Sequence, residues 1–351
     1  MHILVIRLSA IGDVVLTLPA VAALRRSFPE ARISWAVGSK ARELLEGSPL
    51  LDQIIEVETA KWNKRRPGEA WRSAAGAFRR LRENPVDVAL DFQGLLKSAL
   101  VARLSGARRR LGFATDELRE RAGRAFLTEQ IGRAEGGHVI EKNLRLAEAL
   151  GARRPAEYEF PIAVPPGDEA FVQTELARHD LDQFAILNPG GGWVTKLWAP
   201  HNYSALADWL WRTHGLRTVV TYGPGEEGLA RSVAQASRRA TPVALATSLK
   251  QFVALARRAR LFVGGDTGPM HLAAAAGAPI VALFGPTAAH RNGPFAPRDV
   301  SLGRDVPCRE GCYRRTCSEW ICMEIPVTQV QRAVEQRLES AGRRQLPLAV
   351  S

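Results

Sequence analysis

The segment from Phe262 to Gly277 constrains the fold more than any other part of this chain. An apolar stretch ends in two glycines and an Asp-Thr-Gly turn, and an alanine-rich stretch follows and stops before Pro279. This order predicts a buried strand, a tight turn and the start of a helix. The first N–H groups of a helix carry partial positive charge, so we expect a phosphorylated ligand to bind there. The alternative is that Asp266 only caps the helix of an ordinary strand-to-helix connection.

Strand and helix patterns alternate along both halves of the sequence. Strands are predicted at His2–Leu8, Arg32–Val37, Ile54–Val57, Val86–Leu90, Phe184–Asn188, Arg217–Tyr222, Pro242–Leu245, Leu261–Gly265 and Pro279–Phe284. Helices are predicted at Gly12–Ser27, Tyr203–His214, Leu249–Arg258 and Val327–Arg343. Such alternation favours parallel sheets covered by helices, the α/β class. We expect two doubly wound domains at 1–163 and 168–325, joined by a proline-rich linker and followed by a terminal helix and tail at 326–351.

The charge balance restricts the kinds of partner. The chain has 351 residues, with 48 Lys and Arg against 36 Asp and Glu, so it favours acidic partners such as phosphorylated small molecules, an anionic membrane surface or nucleic acid. No stretch is long and apolar enough to span a membrane, and Arg7 and Asp13 interrupt the apolar N-terminus, where a secretion signal would be uncharged. We therefore expect a cytoplasmic protein.

Glycines and acids follow the strands at the edge where doubly wound sheets bind ligands. Ser9–Asp13 follows the first strand, and Asn188–Gly192 follows the first strand of the second half. Neither has the Gly-x-Gly-x-x-Gly spacing of dinucleotide-binding folds, which disfavours a dehydrogenase. No Asp-x-Asp pair occurs where it could hold a diphosphate-bound metal, so we expect catalysis without a metal and without a cofactor.

Five motifs in order along the chain resemble the bacterial ADP-heptose:lipopolysaccharide heptosyltransferases, glycosyltransferase family nine. They are Leu8–Asp13, Asp91–Ser98, Asn188–Lys196 with Trp198, Tyr222–Glu227 and Gly265–His271. The resemblance implies a GT-B fold, with two Rossmann-like domains facing across a cleft. It also implies an inverting transfer, with the acceptor bound by the N-terminal half and the nucleotide-sugar by the C-terminal half.

The resemblance assigns roles to individual residues. Asp13 is the expected general base and Lys196 the expected cation at the leaving diphosphate. The implied donor-binding residues are Gly191, Gly192, Glu226 (ribose), Thr247 (base pocket), Asp266 (sugar hydroxyls), Thr267, Gly268 and His271. The implied acceptor-binding residues are Ser9, Gly12, Lys61, Trp62, Lys64, Gln93 and Lys97. From the residues alone, Asp13 could instead be a helix cap, Lys196 a surface lysine and His271 a packed side chain.

Two basic clusters have two interpretations each, a binding role or an ordinary solvated surface. The stretch Lys61–Arg66 contains one tryptophan, and in relatives that add the first heptose a similar loop faces the carboxylates of Kdo on lipid A. A second cluster, Arg103 with Arg108–Arg110, could touch the inner face of the cytoplasmic membrane as a peripheral contact, but a solvated helix end explains it more simply.

All four cysteines fall in one short stretch near the C-terminus. Cys308, Cys312, Cys317 and Cys322 are separated by three, four and four residues. Four thiolates can hold zinc or an iron–sulfur cluster, but the usual Cys-x2-Cys pairs are missing, and disulfides are disfavoured in a reducing cytoplasm. Unligated or redox-labile thiols are the favoured interpretation, with a structural metal as the alternative.

The preferred function is transfer of a heptose from ADP-heptose to Kdo of the lipopolysaccharide inner core. Gly191 and Gly192 stand where first-heptose enzymes carry a Thr pair, which keeps a later heptose or another sugar open. From other classes, a GT-B nucleotide-sugar epimerase would need no acceptor. A nucleic-acid binder is disfavoured because the basic residues are dispersed and no aromatic-basic recognition motif occurs.

Overall fold

The computed structural model describes residues 1–57, 79, 85–115, 117, 120–132, 137–308 and 312–342. Backbone proximity divides the chain into two compact units, Met1–Ala163 and Val164–Ser351. Each is a parallel α/β unit with its own sheet.

The first unit has a six-stranded sheet. Its strands are β1 (His2–Ile6), β2 (Arg32–Val37), β3 (Gln53–Glu56), β4 (Val88–Asp91), β5 (Arg109–Phe113) and β6 (Glu129–Ile131). Its described α-helices are α1 (Ile11–Val15), α2 (Leu18–Ser27), α3 (Ser39–Leu45), α4 (Leu96–Leu104) and α5 (Val139–Ala149). All neighbouring strands are parallel, in the order β3-β2-β1-β4-β5-β6.

The second unit repeats this arrangement. Its strands are β7 (Phe184–Asn188), β8 (Arg217–Tyr222), β9 (Val243–Ala246), β10 (Leu261–Gly265), β11 (Ile280–Phe284) and β12 (Val300–Gly303). Its described α-helices are α6 (Pro166–Arg178), α7 (Pro200–His214), α8 (Glu227–Ala236), α9 (Leu249–Arg258), α10 (Gly268–Ala275), α11 (Ala289–Asn292) and α12 (Val327–Gly342). The terminal helix α12 packs on α7, β11 and β12, so it closes this unit.

The two sheets have the same topology. The second follows the order β12-β11-β10-β7-β8-β9, which is the first order viewed from the opposite edge. In each sheet the first and fourth strands are neighbours, and the chain leaves them in opposite directions. Ligands of doubly wound sheets bind at this topological switch point, beyond the carboxyl ends of the strands. The loops after β1 and β4 form the first switch point, and the loops after β7 and β10 form the second.

Apolar strands buried on both faces hold each unit together. The described residues of β1, β4, β7 and β10 are all buried. In the second unit, Trp198 and Tyr203 pack edge to face with ring centroids 4.8 Å apart, and the Trp198 indole donates to the Ile325 carbonyl at 2.9 Å. This packing fixes the segment that follows the β7 loop.

The predicted strands are present, with ends that differ by one or two residues, but the single helix predicted at Gly12–Ser27 is wrong. The helix stops at Val15 and a new one begins at Leu18. Pro19, which lacks an N–H, lies in the first turn of α2, where that donor is not needed. The buried amide of Asn143 donates to the Leu16 carbonyl at 2.8 Å, which satisfies an acceptor that the break exposes.

Three strands escaped prediction, namely β5, β6 and β12. Arg109 and Arg110 lie on β5, so assigning them to a solvated helix end was wrong. Arg109 pairs with Glu129 on β6 at 2.7 Å, and Arg110 donates to the carbonyls of Phe126 and Ala107. On β5 and β6, charged side chains interrupt the apolar alternation that marks a strand.

In the part of the chain that the structure describes, no helix combines the length and the apolar character needed to cross a membrane.

Candidate functional site

At the first switch point, a buried arginine holds the carboxylate of Asp13. Arg7 directly follows β1, is 6% exposed, and places Nη2 2.7 Å from Asp13 Oδ1. Its Nη1 donates to the Phe92 carbonyl after β4. The arginine therefore joins both loops of this switch point to one carboxylate, whose side chain is 25% exposed.

Asp13 lies in the first turn of α1. The helix begins at Ile11 with Ala10 as its N-cap, so the alternative of Asp13 as the cap of a helix starting at Val14 is wrong. Asp13 Oδ2 accepts from the Ala10 N–H at 3.2 Å. The partial positive charge of a helix N-terminus favours an ionised carboxylate at this position.

A second carboxylate lies deeper at the same switch point. Asp91 ends β4 and is 1% exposed, and it accepts from the N–H groups of Gln93 and Gly94 and from the Ser98 hydroxyl at 2.9 to 3.1 Å. Burial raises the pKa of Asp91 to about 6, although these hydrogen bonds and the charge of Arg7 act to lower it. The role of Asp91 is to shape the loop after β4.

Gln93, a predicted acceptor-binding residue, stabilises the loop after β1. Its side-chain oxygen accepts from the N–H groups of Leu8 and Ser9 at 2.9 and 3.2 Å. Of the other predicted acceptor residues, Ser9 is exposed, Gly12 is buried in α1 and Lys97 is half-buried in α4. Lys61, Trp62 and Lys64 lie outside the described residues.

At the second switch point, Lys196 and Asp266 form an ion pair. Lys196 ends a short 3-10 helix, Val194–Lys196, in the loop after β7, and Asp266 directly follows β10. Lys196 Nζ lies 2.7 Å from Asp266 Oδ2 and 2.9 Å from the Asp266 carbonyl oxygen. It also lies 4.6 Å from the centroid of the Trp193 ring. Contacts with Asp266 and Trp193 thus hold the Lys196 side chain at the switch point, and it does not extend into solvent.

Asp266 has two further protein partners. The Thr287 hydroxyl donates to Oδ2 at 2.6 Å, and His271 Nε2 lies 3.3 Å from Oδ1. Burial acts to raise the pKa of Asp266, but the hydrogen bonds and charges of His271 and Lys196 outweigh it and hold this pKa well below its ordinary value. Asp266 is therefore an anion that orients a lysine and a histidine.

His271 is buried in α10 and retains one unused polar atom. Its Nδ1 is buried and has no hydrogen-bond partner among the residues that the structure describes. A buried polar atom without a partner costs free energy. A ligand atom or a water molecule next to it would remove that cost.

The N-terminus of α10 lies directly beside this cluster. The helix begins at Gly268 with Thr267 as its N-cap, so Asp266 is not the cap that the alternative interpretation proposed. Thr267 makes no side-chain capping hydrogen bond. The N–H groups of Gly268 and Met270 have no acceptor within the helix, which makes this turn suited to bind an anion.

Glu226 joins the loops after β7 and β8. Its carboxylate oxygens accept from the N–H groups of Gly191 and Gly223 at 2.9 and 3.0 Å. A Cβ at Gly190 would lie 2.2 Å from Glu226 Oε2, so this glycine makes room for the carboxylate. Glu226, the residue predicted to bind the ribose, is therefore also a structural link between these two loops.

The remaining predicted donor residues line the same edge of the sheet. A Cβ at Gly191 would lie 3.3 Å from the Thr267 side chain, whereas one at Gly192 would meet nothing within 4 Å of it. Thr247 is half-buried between β9 and the start of α9. The donor residues therefore follow β7 to β10 at their carboxyl ends, which is where nucleotides bind in this topology.

The four cysteines are free thiols. Among the described residues, no group of three or more His, Cys, Asp or Glu side chains could hold a metal ion. Burial raises the pKa of the Cys322 thiol, and the other three cysteines raise it further. The geometry gives the metal alternative no support.

Sequence reasoning missed the partners of the candidate residues. Arg7 was used only to exclude a secretion signal, and neither Thr287 nor Trp193 was singled out. A charged residue within the predicted apolar strand His2–Leu8 was the available signal for Arg7, because a buried charge needs a counter-charge. No sequence signal connects Thr287 with Asp266, since their contact depends on the adjacent β10 and β11.

Comparisons with known proteins point to one family. Residues 74–321 match the profile of glycosyltransferase family 9 (heptosyltransferase). Lipopolysaccharide heptosyltransferase 1 of Pseudomonas aeruginosa is 31% identical over 91% of this chain and 88% of its own length. Lipopolysaccharide heptosyltransferase 3 of Escherichia coli is 25% identical over 94% of this chain and 97% of its own length.

Solved structures share the fold along almost the whole chain. A family 9 glycosyltransferase from Veillonella parvula has a TM-score of 0.81 at 23% identity, covering 97% of both chains. An Escherichia coli heptosyltransferase solved with ADP has a TM-score of 0.77 at 22% identity, covering 96% of this chain and all of its own. The predicted GT-B class, with two Rossmann-like domains, is confirmed. The chain belongs to glycosyltransferase family 9, as the order of its motifs predicted.

Proposed function

We propose that this enzyme transfers a heptose from ADP-heptose to a Kdo residue of the lipopolysaccharide inner core, with inversion and without a metal ion. The names of its relatives support the reaction class, because the Pseudomonas aeruginosa protein is a lipopolysaccharide heptosyltransferase 1. A solved Escherichia coli heptosyltransferase contains an ADP-heptose analogue. We further propose that it works in the cytoplasm as a peripheral protein of the inner membrane, where its acceptor is anchored.

The observation that carries the proposal is the carboxylate of Asp13, held by Arg7 and partly exposed at the first switch point. In an inverting transfer, the acceptor oxygen attacks the anomeric carbon on the face opposite the diphosphate. The new carbon–oxygen bond forms as the bond to ADP breaks, and the hydroxyl proton passes to Asp13. The contacts with Arg7 and with the Ala10 N–H fix the orientation of the carboxylate that would accept this proton.

On the donor side, the diphosphate would bind at the N-terminus of α10 and Lys196. The electron pair of the broken bond stays on the leaving ADP, so its negative charge increases in the transition state. Amide donors and a lysine fixed in advance stabilise that charge without having to reorganise. Thr247 and Glu226 would bind the adenosine end.

The acceptor would bind to the first unit. Ser9, Gln93 and Lys97 follow β1 and β4, and Lys61, Trp62 and Lys64 would supply the basic loop for the carboxylates of Kdo. Lysines that face carboxylates make charge-assisted hydrogen bonds, which are stronger than neutral ones.

Transfer of a later heptose is the second candidate, because a heptosyltransferase 3 aligns with 94% of the chain. The two candidates share the donor and differ only in the acceptor. A nucleotide-sugar epimerase has the same general fold at 13% identity and a TM-score of 0.52, which is a likeness of fold alone.

The deciding experiment incubates the purified protein with ADP-heptose and either Kdo-containing lipid A or a core that already carries heptose. ADP release and a mass increase of one heptose on the first acceptor are expected, unchanged by a chelator. Transfer only to the second acceptor would support the later-heptose function. Conversion of ADP-heptose without any acceptor would instead indicate an epimerase.

A matched pair of variants tests the general base. Asp13→Ala should lower kcat by at least about 100-fold while thermal stabilisation by ADP-heptose is kept. Asp87→Ala is the control, because Asp87 pairs with the backbone of His2 at the amino edge of the same sheet. Equal activity of both variants would refute the role of Asp13.

Thermal stabilisation of the wild type also tests the donor. Greater stabilisation by a UDP- or GDP-sugar than by ADP-heptose would overturn the donor assignment.

A further inference from the structure

The segment that carries the last three cysteines packs against the donor side of the second switch point. The Thr195 hydroxyl, next to Lys196, donates to the Arg314 carbonyl at 2.7 Å. The Tyr313 N–H donates to the carbonyl of Pro286, which follows β11, at 3.2 Å. Further along the segment, a Cβ at Gly285 would lie 2.6 Å from the sulfur of Met323. The segment is therefore part of the wall around Lys196.

One indole in this wall faces two cations. The Trp193 ring centroid lies 4.6 Å from Lys196 Nζ and 5.1 Å from Arg315 Cζ. These two distances limit the separation of the charged groups to less than about 10 Å. Cations are attracted to the face of an aromatic ring, so Trp193 holds Arg315 near the lysine. Arg315 is otherwise exposed, and its guanidinium can turn toward a ligand.

The charged side chains of the second switch point do not supply enough positive charge for a diphosphate. Lys196 is already paired with the Asp266 carboxylate at 2.7 Å, and the two charges cancel. A sugar diphosphate is negatively charged before the bond breaks and more so afterwards. The amide groups at the start of α10 supply only partial charges. A guanidinium presents a planar pair of N–H donors that matches two phosphate oxygens at once, whereas an ammonium group acts as a point charge.

We infer that Arg315 is a donor-binding residue that reaches across Trp193 to the diphosphate of the nucleotide-sugar. The inference rests on the proposed function and adds a residue from the cysteine-bearing segment to its donor site. It also assigns a function to that segment, in which Cys312 and Cys317 flank Arg315. The hydrogen bond from the Thr195 hydroxyl to the Arg314 carbonyl fixes the segment beside Lys196.

The test compares Arg315→Ala with Arg314→Ala in the full-length protein. Arg314 is the matched control, because it is an exposed arginine that contributes only its carbonyl group to Thr195, and alanine keeps that group. Affinities for ADP, AMP and adenosine are measured by calorimetry, and KM and kcat are measured with ADP-heptose. Arg315→Ala should weaken ADP binding by about tenfold, leave adenosine binding unchanged and raise KM for the donor. Arg315→Lys should retain part of the ADP affinity that Arg315→Ala loses.

Salt provides a second measurement. ADP affinity should fall less steeply with ionic strength in Arg315→Ala than in the wild type, because one screened charge pair is gone. Equal losses in both alanine variants, or equal weakening of ADP and adenosine, would overturn the inference. A wild-type protein that binds ADP in a Lys196-dependent way while Arg315→Ala binds it unchanged would refute only Arg315. A wild type that binds no adenine nucleotide would refute the proposed function as well.

Discussion

A buried aspartate lies at the carboxyl end of the fourth strand of each unit, Asp91 as the last residue of β4 and Asp266 directly after β10. The two aspartates have opposite electrostatic properties. Asp91 is 1% exposed and Asp266 is 5% exposed. The partners of Asp91 are two backbone N–H groups and a hydroxyl, and burial raises its pKa to about 6. Asp266 contacts a lysine and a histidine, and its pKa lies well below the ordinary value. Burial alone does not decide the charge of a carboxyl group; the charge of its neighbours does.

Removing the lysine from the second switch point should produce the largest effect. Lys196→Met leaves the buried Asp266 carboxylate with only His271 and the Thr287 hydroxyl as side-chain partners among the described residues. Breaking a buried ion pair in this way destabilises a protein by about 3 kcal/mol. With the cation at the leaving diphosphate gone, kcat should fall by about 100-fold. Urea unfolding and steady-state kinetics measure the two effects.

Lys142→Met is the control from the first unit. Lys142 is also mostly buried, but its Nζ lies 3.8 Å from Glu117, a longer contact than that of Lys196. A smaller loss of stability and unchanged binding of ADP are expected. If both variants lost the same stability and kept the same kcat, Lys196 would be an ordinary structural lysine.

The sequence predicted the strands of both switch points but not what their aspartates contact. Asp91 and Asp266 were both visible as acids after apolar strands, with the same local signal. Their difference depends on side chains far away in the sequence: Lys196 comes from the loop after β7 and reaches Asp266 across 70 positions. Strand order makes these loops neighbours, and a single sequence without its strand order does not contain that information. The basic loop at Lys61–Arg66 and its acceptor role stay predictions.

The pH dependence of stability sharpens the comparison at Asp91. Its pKa is about 6 in the folded protein against 3.8 ordinarily, so between these values the folded state binds a proton that the unfolded chain has lost. The contribution of Asp91 to the free energy of unfolding therefore falls as pH rises through this window. Asp91→Asn does not titrate, so its stability relative to wild type should rise by about 2 kcal/mol between about pH 4 and about pH 7.5.

Asp52→Asn is the control with the opposite sign. Burial acts to raise the pKa of Asp52, but hydrogen bonds from the Ile33 N–H and from Arg25, together with nearby positive charge, lower it. The stabilising contribution of Asp52 is present above its ordinary pKa and is lost as pH falls. The free energy of unfolding of Asp52→Asn should therefore lie further below that of wild type at neutral pH than in acid. The same slope for both variants would contradict the opposite environments of these carboxylates.

The smallest effect is expected in the loop after β7. Gly192→Ala adds a methyl group that meets nothing within 4 Å, so its stability should stay within about 0.5 kcal/mol of wild type. Gly190→Ala is the contrast, since its Cβ must displace the Glu226 carboxylate, and overpacking of this kind costs about 1 to 3 kcal/mol. Thermal unfolding without ligand distinguishes them. Equal melting temperatures would show that Glu226 moves without cost.

Because the Glu226 carboxylate accepts hydrogen bonds from the amides of Gly191 and Gly223, it links the loop after β7 to the loop after β8. A ribose that drew this carboxylate toward its hydroxyls would compete with both amides. Nucleotide binding would then make Gly191 and Gly223 exchange their amide hydrogens faster with solvent, while the rest of the second unit exchanged more slowly. Ligand affinity at this edge would in that case be limited by the internal hydrogen bonds that the empty loops already make.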